Sequence, residues 1–113
     1  MAFAGLARQI ELIRSRAVSA RELVEVCLSR IERIDPELNS FAAVYGEQAL
    51  LHADEADTRV AKGDLRPLIG IPVAVKDEID VAGEVTSRGT GAYRTPAPAD
   101  AEVVRRLRAA GRS

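Results

Sequence analysis

The sequence predicts an α/β architecture: helices first, then strands, then one more helix. Three patterns point there. Apolar residues recur at spacings of three and four through the first sixty or so positions. Residues 68–75 then form an apolar run interrupted by Gly70 and Pro72, which suits a strand better than a helix. A last amphipathic stretch with a Gly behind it closes the chain. The composition allows a core. Of 113 residues, 47% are hydrophobic and 29% charged, so the chain reads as globular rather than disordered. With 4% aromatics and no Trp, Ala, Val, Leu and Ile must supply that core.

The elements follow in order. Phe3, Leu6, Ile10 and Ile13 mark one face of a first helix. Ser19 and Glu22 have capping-box spacing, in which each side chain satisfies a free backbone donor at a helix start. The second helix carries Leu23, Cys27, Ile31 and Ile34 as its buried stripe, and is expected to end at Asp35-Pro36 because the residue before proline avoids the α region. Residues 40–45 suit a strand or extended piece. A third helix is expected over 47–62, with Ala49, Ala53, Ala56 and Val60 facing inward and Gly63 as its cap. Residues 68–75 and 79–81 read as strands, and 86–98 as a loop rich in Gly, Thr, Pro and Ala. Asp100 can cap a final helix over 101–110, with Val103, Leu107 and Ala110 inward and Gly111 as its stop. In an α/β crossover a strand should follow that helix. The expected organisation is therefore residues 1–63 mainly helical and 64–113 strands, loop and crossover helix, with the rest of the domain absent.

Charge and cysteine usage narrow the function classes. Sixteen basic residues against seventeen acidic give a net charge of -1, which argues against a nucleic-acid or anionic-membrane partner by bulk charge. No apolar run is long enough to span a membrane. Cys27 has no partner for an internal disulfide, and Met1-Ala2-Phe3-Ala4-Gly5 lacks a basic region followed by an apolar one, so the cytoplasm is the expected location.

Lys76 is the principal chemical candidate. In a strand, Ile71, Val73 and Val75 point one way while Pro72, Ala74 and Lys76 point the other. A lysine at a buried strand end loses solvent, which disfavours its charged form, and a neutral amine can take a proton from a serine hydroxyl. By pattern alone, a lysine that merely solvates a strand end is the commoner case. Asp77 faces away from Lys76 and is expected to bond backbone. Ser87, Gly89 and Thr90 read as turn chemistry. His52 has no His, Cys or carboxylate at ligand spacing, so no metal site is expected. Cys27 lies on an apolar helical face and reads as core. Arg105, Arg106, Arg108 and Arg112 read as the solvated face of a short helix. Ser113 lacks the Gly-rich surroundings of a nucleophile.

Residues Gly70-Ile71-Pro72-Val73-Ala74-Val75-Lys76-Asp77 resemble the segment of the amidase-signature family that carries its catalytic lysine. The resemblance continues through Val81-Ala82-Gly83, through Thr86-Ser87-Arg88-Gly89-Thr90, and through the stretch 98–111. It also takes in the Ser19 to Glu22 start and the turn at 35–41, so it covers nearly the whole chain. It implies an α/β parent fold, of which this is the N-terminal portion, and hydrolysis of a carboxamide to carboxylate and ammonia through an acyl-serine. The implied triad is Ser-cisSer-Lys, with Lys76 as base and both serines in a Gly- and Ser-rich stretch not present here. No cofactor is implied. The implied partner is a small-molecule amide, met by the complete enzyme, and a homo-oligomer is admitted. Two alternatives stay open: the A subunit of the tRNA-dependent amidotransferase, which is similar over the same segment, and a truncated, non-catalytic binding module.

Overall fold

The computed structural model describes residues 3–112, so Met1, Ala2 and the Ser113 candidate lie outside the described residues. Among the described residues four helices occur: α1 (Leu6–Arg14), α2 (Ala20–Leu38), α3 (Gly46–Ala61) and α4 (Glu102–Ala109). α2 packs on α3. The small side chains Ala20, Ala53 and Ala56 line that contact, and with Val24 and Ile69 they make one buried cluster. Small residues let two helix backbones approach closely, so the predicted alanine stripe of α3 is the surface α2 needs. A second cluster joins Ile13 of α1, Leu23 of α2 and Ile71.

The start of α2 is the best-satisfied helix end in the molecule. Ser19 Oγ accepts the Glu22 N–H at 3.0 Å, and Glu22 accepts the Ser19 N–H at 3.4 Å, the reciprocal box expected from the sequence. Asp57 of α3 adds a cap across the helix pair, accepting from Ala20 N–H at 2.7 Å and Arg21 N–H at 3.1 Å. Orphan donors at a helix start are thereby used to lock α2 to α3.

Several expectations need correction. α2 runs through Pro36 and ends at Leu38, with Asn39 in the left-handed region at φ 53°. Asp35 explains the extension. Its carbonyl accepts the Asn39 N–H at 2.7 Å and its carboxylate the Ser40 N–H at 2.7 Å, which offsets the pre-proline preference. The stripe on α2 is shifted: Leu23 is buried, Cys27, Ile31 and Ile34 are half-buried, and Ala20 and Val24 carry the rest. Phe3 is 88% exposed because α1 begins only after Gly5, and its ring lies under the Arg30 guanidinium at 4.6 Å. On α4 the buried residue is Val104, not Val103. Asp100 does not cap α4; it accepts the Ala82 N–H at 2.8 Å and pairs with Arg108 at 2.8 Å.

The strands are the main difference. Among the described residues the one β pairing is an isolated antiparallel bridge between Val85 and Pro96. Residues 40–45 and 79–81 form no ladder, residues 67–70 form a turn, and residues 71–76 are free of helix and unpaired. A strand exists only by pairing, and no described segment of this chain runs beside residues 72–76.

The 67–71 turn is nevertheless fixed. Leu68 N–H donates to the Ala110 carbonyl at 2.8 Å and Gly70 N–H to the Gly111 carbonyl at 3.0 Å. Ile69 and Ile71, either side of Gly70, each enter a different buried cluster. Gly70 has φ +77°, and a Cβ there would meet Ala20 Cβ at 2.8 Å; one on Gly111 would meet Ile69 Cα at 2.9 Å. Both positions need glycine for conformation and for space.

Candidate functional site

Lys76 stands at the end of the unpaired 71–76 segment, where the chain turns sharply. Its carbonyl accepts two N–H groups, from Glu78 at 2.8 Å and Ile79 at 3.0 Å. Val73 and Val75 are half-buried. The Lys76 side chain is 75% exposed and pairs with Glu78 at 3.1 Å. The desolvation expected at a buried strand end is therefore not present in this chain. An exposed pair of this kind is worth little in stability, so the amine is free to change partners.

Asp77 does what its position next to Lys76 suggested: it holds backbone. Its Oδ1 accepts the Ser87 N–H at 2.9 Å, its Oδ2 accepts the Ser87 hydroxyl, and its carbonyl accepts the Arg88 N–H at 3.0 Å. The Ser87 hydroxyl, then its N–H, hold the Asp77 carboxyl below the ordinary carboxylate range. The turn that follows has Arg88 at φ 54° and Gly89 at φ 77°, closed by Thr90 N–H on the Ser87 carbonyl at 3.0 Å. The Ser87 hydroxyl is thus held by the Asp77 carboxylate, and Thr90 accepts the Ala92 N–H at 3.3 Å.

Two neighbours were not singled out by the sequence. Thr86 is buried and donates to Asp80 Oδ1 at 2.7 Å, fixing the loop from within. Tyr45, from the segment before α3, sits beside Glu84. Partial burial, then the Glu84 carboxylate, raise the Tyr45 phenol above its ordinary value, with Asp77 adding a smaller push. Residues 45, 77, 84 and 87 are scattered in sequence, so only folding brings them together.

The remaining candidates lie apart from Lys76. Cys27 packs at the edge of the Ile13–Leu23–Ile71 cluster, and burial pushes its thiol up, against a smaller opposing effect of Arg30. A raised thiol is a poor nucleophile. His52 lines a separate cavity beside Arg108 and Arg112. Arg105 and Arg106 pair with Glu102 at 2.6 and 2.8 Å on the outer face of α4, as expected, but Arg108 and Arg112 turn inward. Among the described residues no three His, Cys, Asp or Glu side chains converge on a metal-sized site. None of their helices is long and apolar enough to cross a membrane.

Comparison with known proteins places this geometry. Residues 22–112 match the Amidase family. The Mycobacterium tuberculosis protein named as amidase AmiB2 is 46% identical over 111 residues, which cover 98% of this chain and 24% of the relative. AmiA2 of the same species is 52% identical over 99 residues, covering 88% of this chain and 20% of that protein. The native peptide amidase of Stenotrophomonas maltophilia superposes with a TM-score of 0.90 at 35% identity, over 98% of this chain and 23% of that one. A solved complex described as vestigial, and as revealing the origins of an s-triazine catabolic enzyme, superposes with a TM-score of 0.91 at 41% identity over 96% of this chain and 24% of its counterpart. The chain spans about a quarter of the length of the curated relatives it matches first.

Proposed function

Because the chain belongs to the amidase family, we propose that it is the lysine-bearing segment of a serine amidase that cleaves a carboxamide to a carboxylate and ammonia. In this reading Lys76 is the terminal base. A serine Oγ attacks the amide carbon, and its proton passes through a second serine to Lys76 Nζ. The C–N bond of the tetrahedral intermediate then breaks, ammonia departs with a proton returned along the same relay, and water releases the acyl group from serine. Both serines and the oxyanion donors come from polypeptide outside these 113 residues.

The observation that carries the proposal is the 70–77 segment inside a family match spanning residues 22–112. The structure supports it in two ways. Residues 71–76 run without helix or pairing up to Lys76, which leaves them open for strands supplied by further polypeptide. The turn at 67–70, bonded to the residues just after α4, anchors the start of that segment. Packing over residues 72–76 would strip solvent and Glu78 from the amine, which a neutral base requires.

The isolated chain is expected to be inactive. Incubated with small carboxamides, it should release no ammonia above background. Turnover that disappears in Lys76→Ala would overturn the proposal, because the nucleophile would then lie within these residues, with Ser87 the first to test.

A further inference from the structure

We propose that the cavity between the C-terminal half of α3, the 66–69 turn and the end of α4 is an oxyanion site, taking a phosphate-type anion, separate from the Lys76 region. It is lined by Arg59, Arg66, Arg108 and Arg112, with His52 and Glu55 at its wall, and has a volume of about 160 Å³.

The charges are unevenly answered. Asp64 neutralises Arg66 at 2.9 Å. Asp100 answers Arg108, lying 2.8 Å from its Nε and accepting from its Nη2 at 3.5 Å, whereas Arg59 and Arg112 pair with no carboxylate among the described residues, and Arg112 Nε is buried without a hydrogen-bond acceptor. A guanidinium without a counter-charge is left to solvent or to an anion, and two of them line this cavity. Arg112 feels this most: burial, then the neighbouring Arg108, lower its affinity for its proton. An anion between the two guanidinium groups relieves both effects. Planar guanidinium forks match the oxygens of a phosphate or carboxylate, and a tetrahedral dianion offers acceptors to more than one fork at once.

The cavity is built by the fold rather than by chance side-chain placement. Leu68 and Gly70 bond the 110 and 111 carbonyls, and Gly111 has no room for a side chain against Ile69. That contact brings Arg66 beside Arg108 and Arg112, and Ala56 and Ile69 floor the space between them.

The test is a titration of the 113-residue chain with inorganic phosphate at constant ionic strength, following the Arg Nε–Hε signals by NMR, with acetate and chloride as parallel arms. Saturable shifts at Arg108 and Arg112 are expected with phosphate, weaker ones with acetate, and none with chloride. Arg112→Gln, outside every helix, should weaken phosphate binding about tenfold. The control Arg105→Gln/Arg106→Gln removes two charges from the outer face of α4 and should leave the affinity within about twofold. Equal loss in both variants would mean bulk charge alone, and a response at Arg108 and Arg112 that never saturates would mean an adventitious ion only. Either result overturns the site.

Discussion

The two halves of this chain are held together by different means. In the helical half, residues 3–63, apolar side chains meet each other directly and α2 and α3 share a buried face. In the second half, residues 64–112, cohesion comes mostly from hydrogen bonds to backbone: the Asp77 carboxylate on Ser87, the Asp100 carboxylate on Ala82, and the Leu68 and Gly70 N–H groups on the carbonyls just after α4. Only Ile69, Ile71, Ala97 and Val104 are buried apolar residues there. The first half is helical, and its two buried clusters are completed by Ile69 and Ile71 of the second. The second is mainly turns and extended chain with α4 near its end, and it carries Lys76.

The largest expected effect falls where the halves join. Gly70→Ala should cost about 3–4 kcal/mol, adding a left-handed backbone penalty to a Cβ contact of 2.8 Å with Ala20. Chemical denaturation measures it, and a loss below about 1 kcal/mol would mean that the turn is not what couples the halves. Next, Leu23→Ala should cost about 3 kcal/mol and Val75→Ala less than about 1, because Leu23 is fully buried and Val75 only partly. Equal costs would erase the distinction between the halves. By the same reasoning Ile31→Asp costs less than its place in the predicted stripe suggests, since Ile31 is only half-buried.

The helical half was legible because its information is local. Spacing of three and four found every helix, and Ser19 with Glu22 found the best-made helix start. What was missed there was a contact distant in sequence, Asp57 capping α2, and a local one that outweighed the pre-proline preference, Asp35 carrying α2 past Pro36. The second half was less legible as structure. The 70–77 motif pointed to Lys76, while its apolar alternation predicted a strand that lacks a partner here. Tyr45 and Thr86 gave no local signal, because a polar residue is placed beside a carboxylate by tertiary structure alone. Arg108 and Arg112 looked the same as Arg105 and Arg106 in sequence, and only the turn against α4 separates them.

Smaller effects sharpen the comparison. Asp57→Ala removes two donors' acceptor at the start of α2 and should cost about 1–2 kcal/mol in thermal or denaturant unfolding. Loss confined to the second half would contradict its role as a lock between α2 and α3. The least effect concerns acid. Arg105 first, then Arg106, lower Glu102 to about 2 in the folded chain. Its folded value lies below its unfolded one, so its small contribution is present above the ordinary Glu range near 4.3 and is lost as pH falls toward 2. Backbone shifts of α4 should change in that window while those of the Ser19 cap, apart from Glu22 itself, change less.

The role of Lys76 is tested most directly in a complete enzyme. Residues 3–112 can replace the matching segment of the Stenotrophomonas maltophilia peptide amidase, with which they share 35% identity. With the fold of the chimera and of its Lys76→Ala variant verified by circular dichroism, carboxamide hydrolysis should proceed in the chimera. It should fall about a thousandfold in Lys76→Ala, with unfolding midpoints unchanged. Activity of the variant within a few-fold of the chimera would remove Lys76 from the chemistry and leave these residues as scaffold.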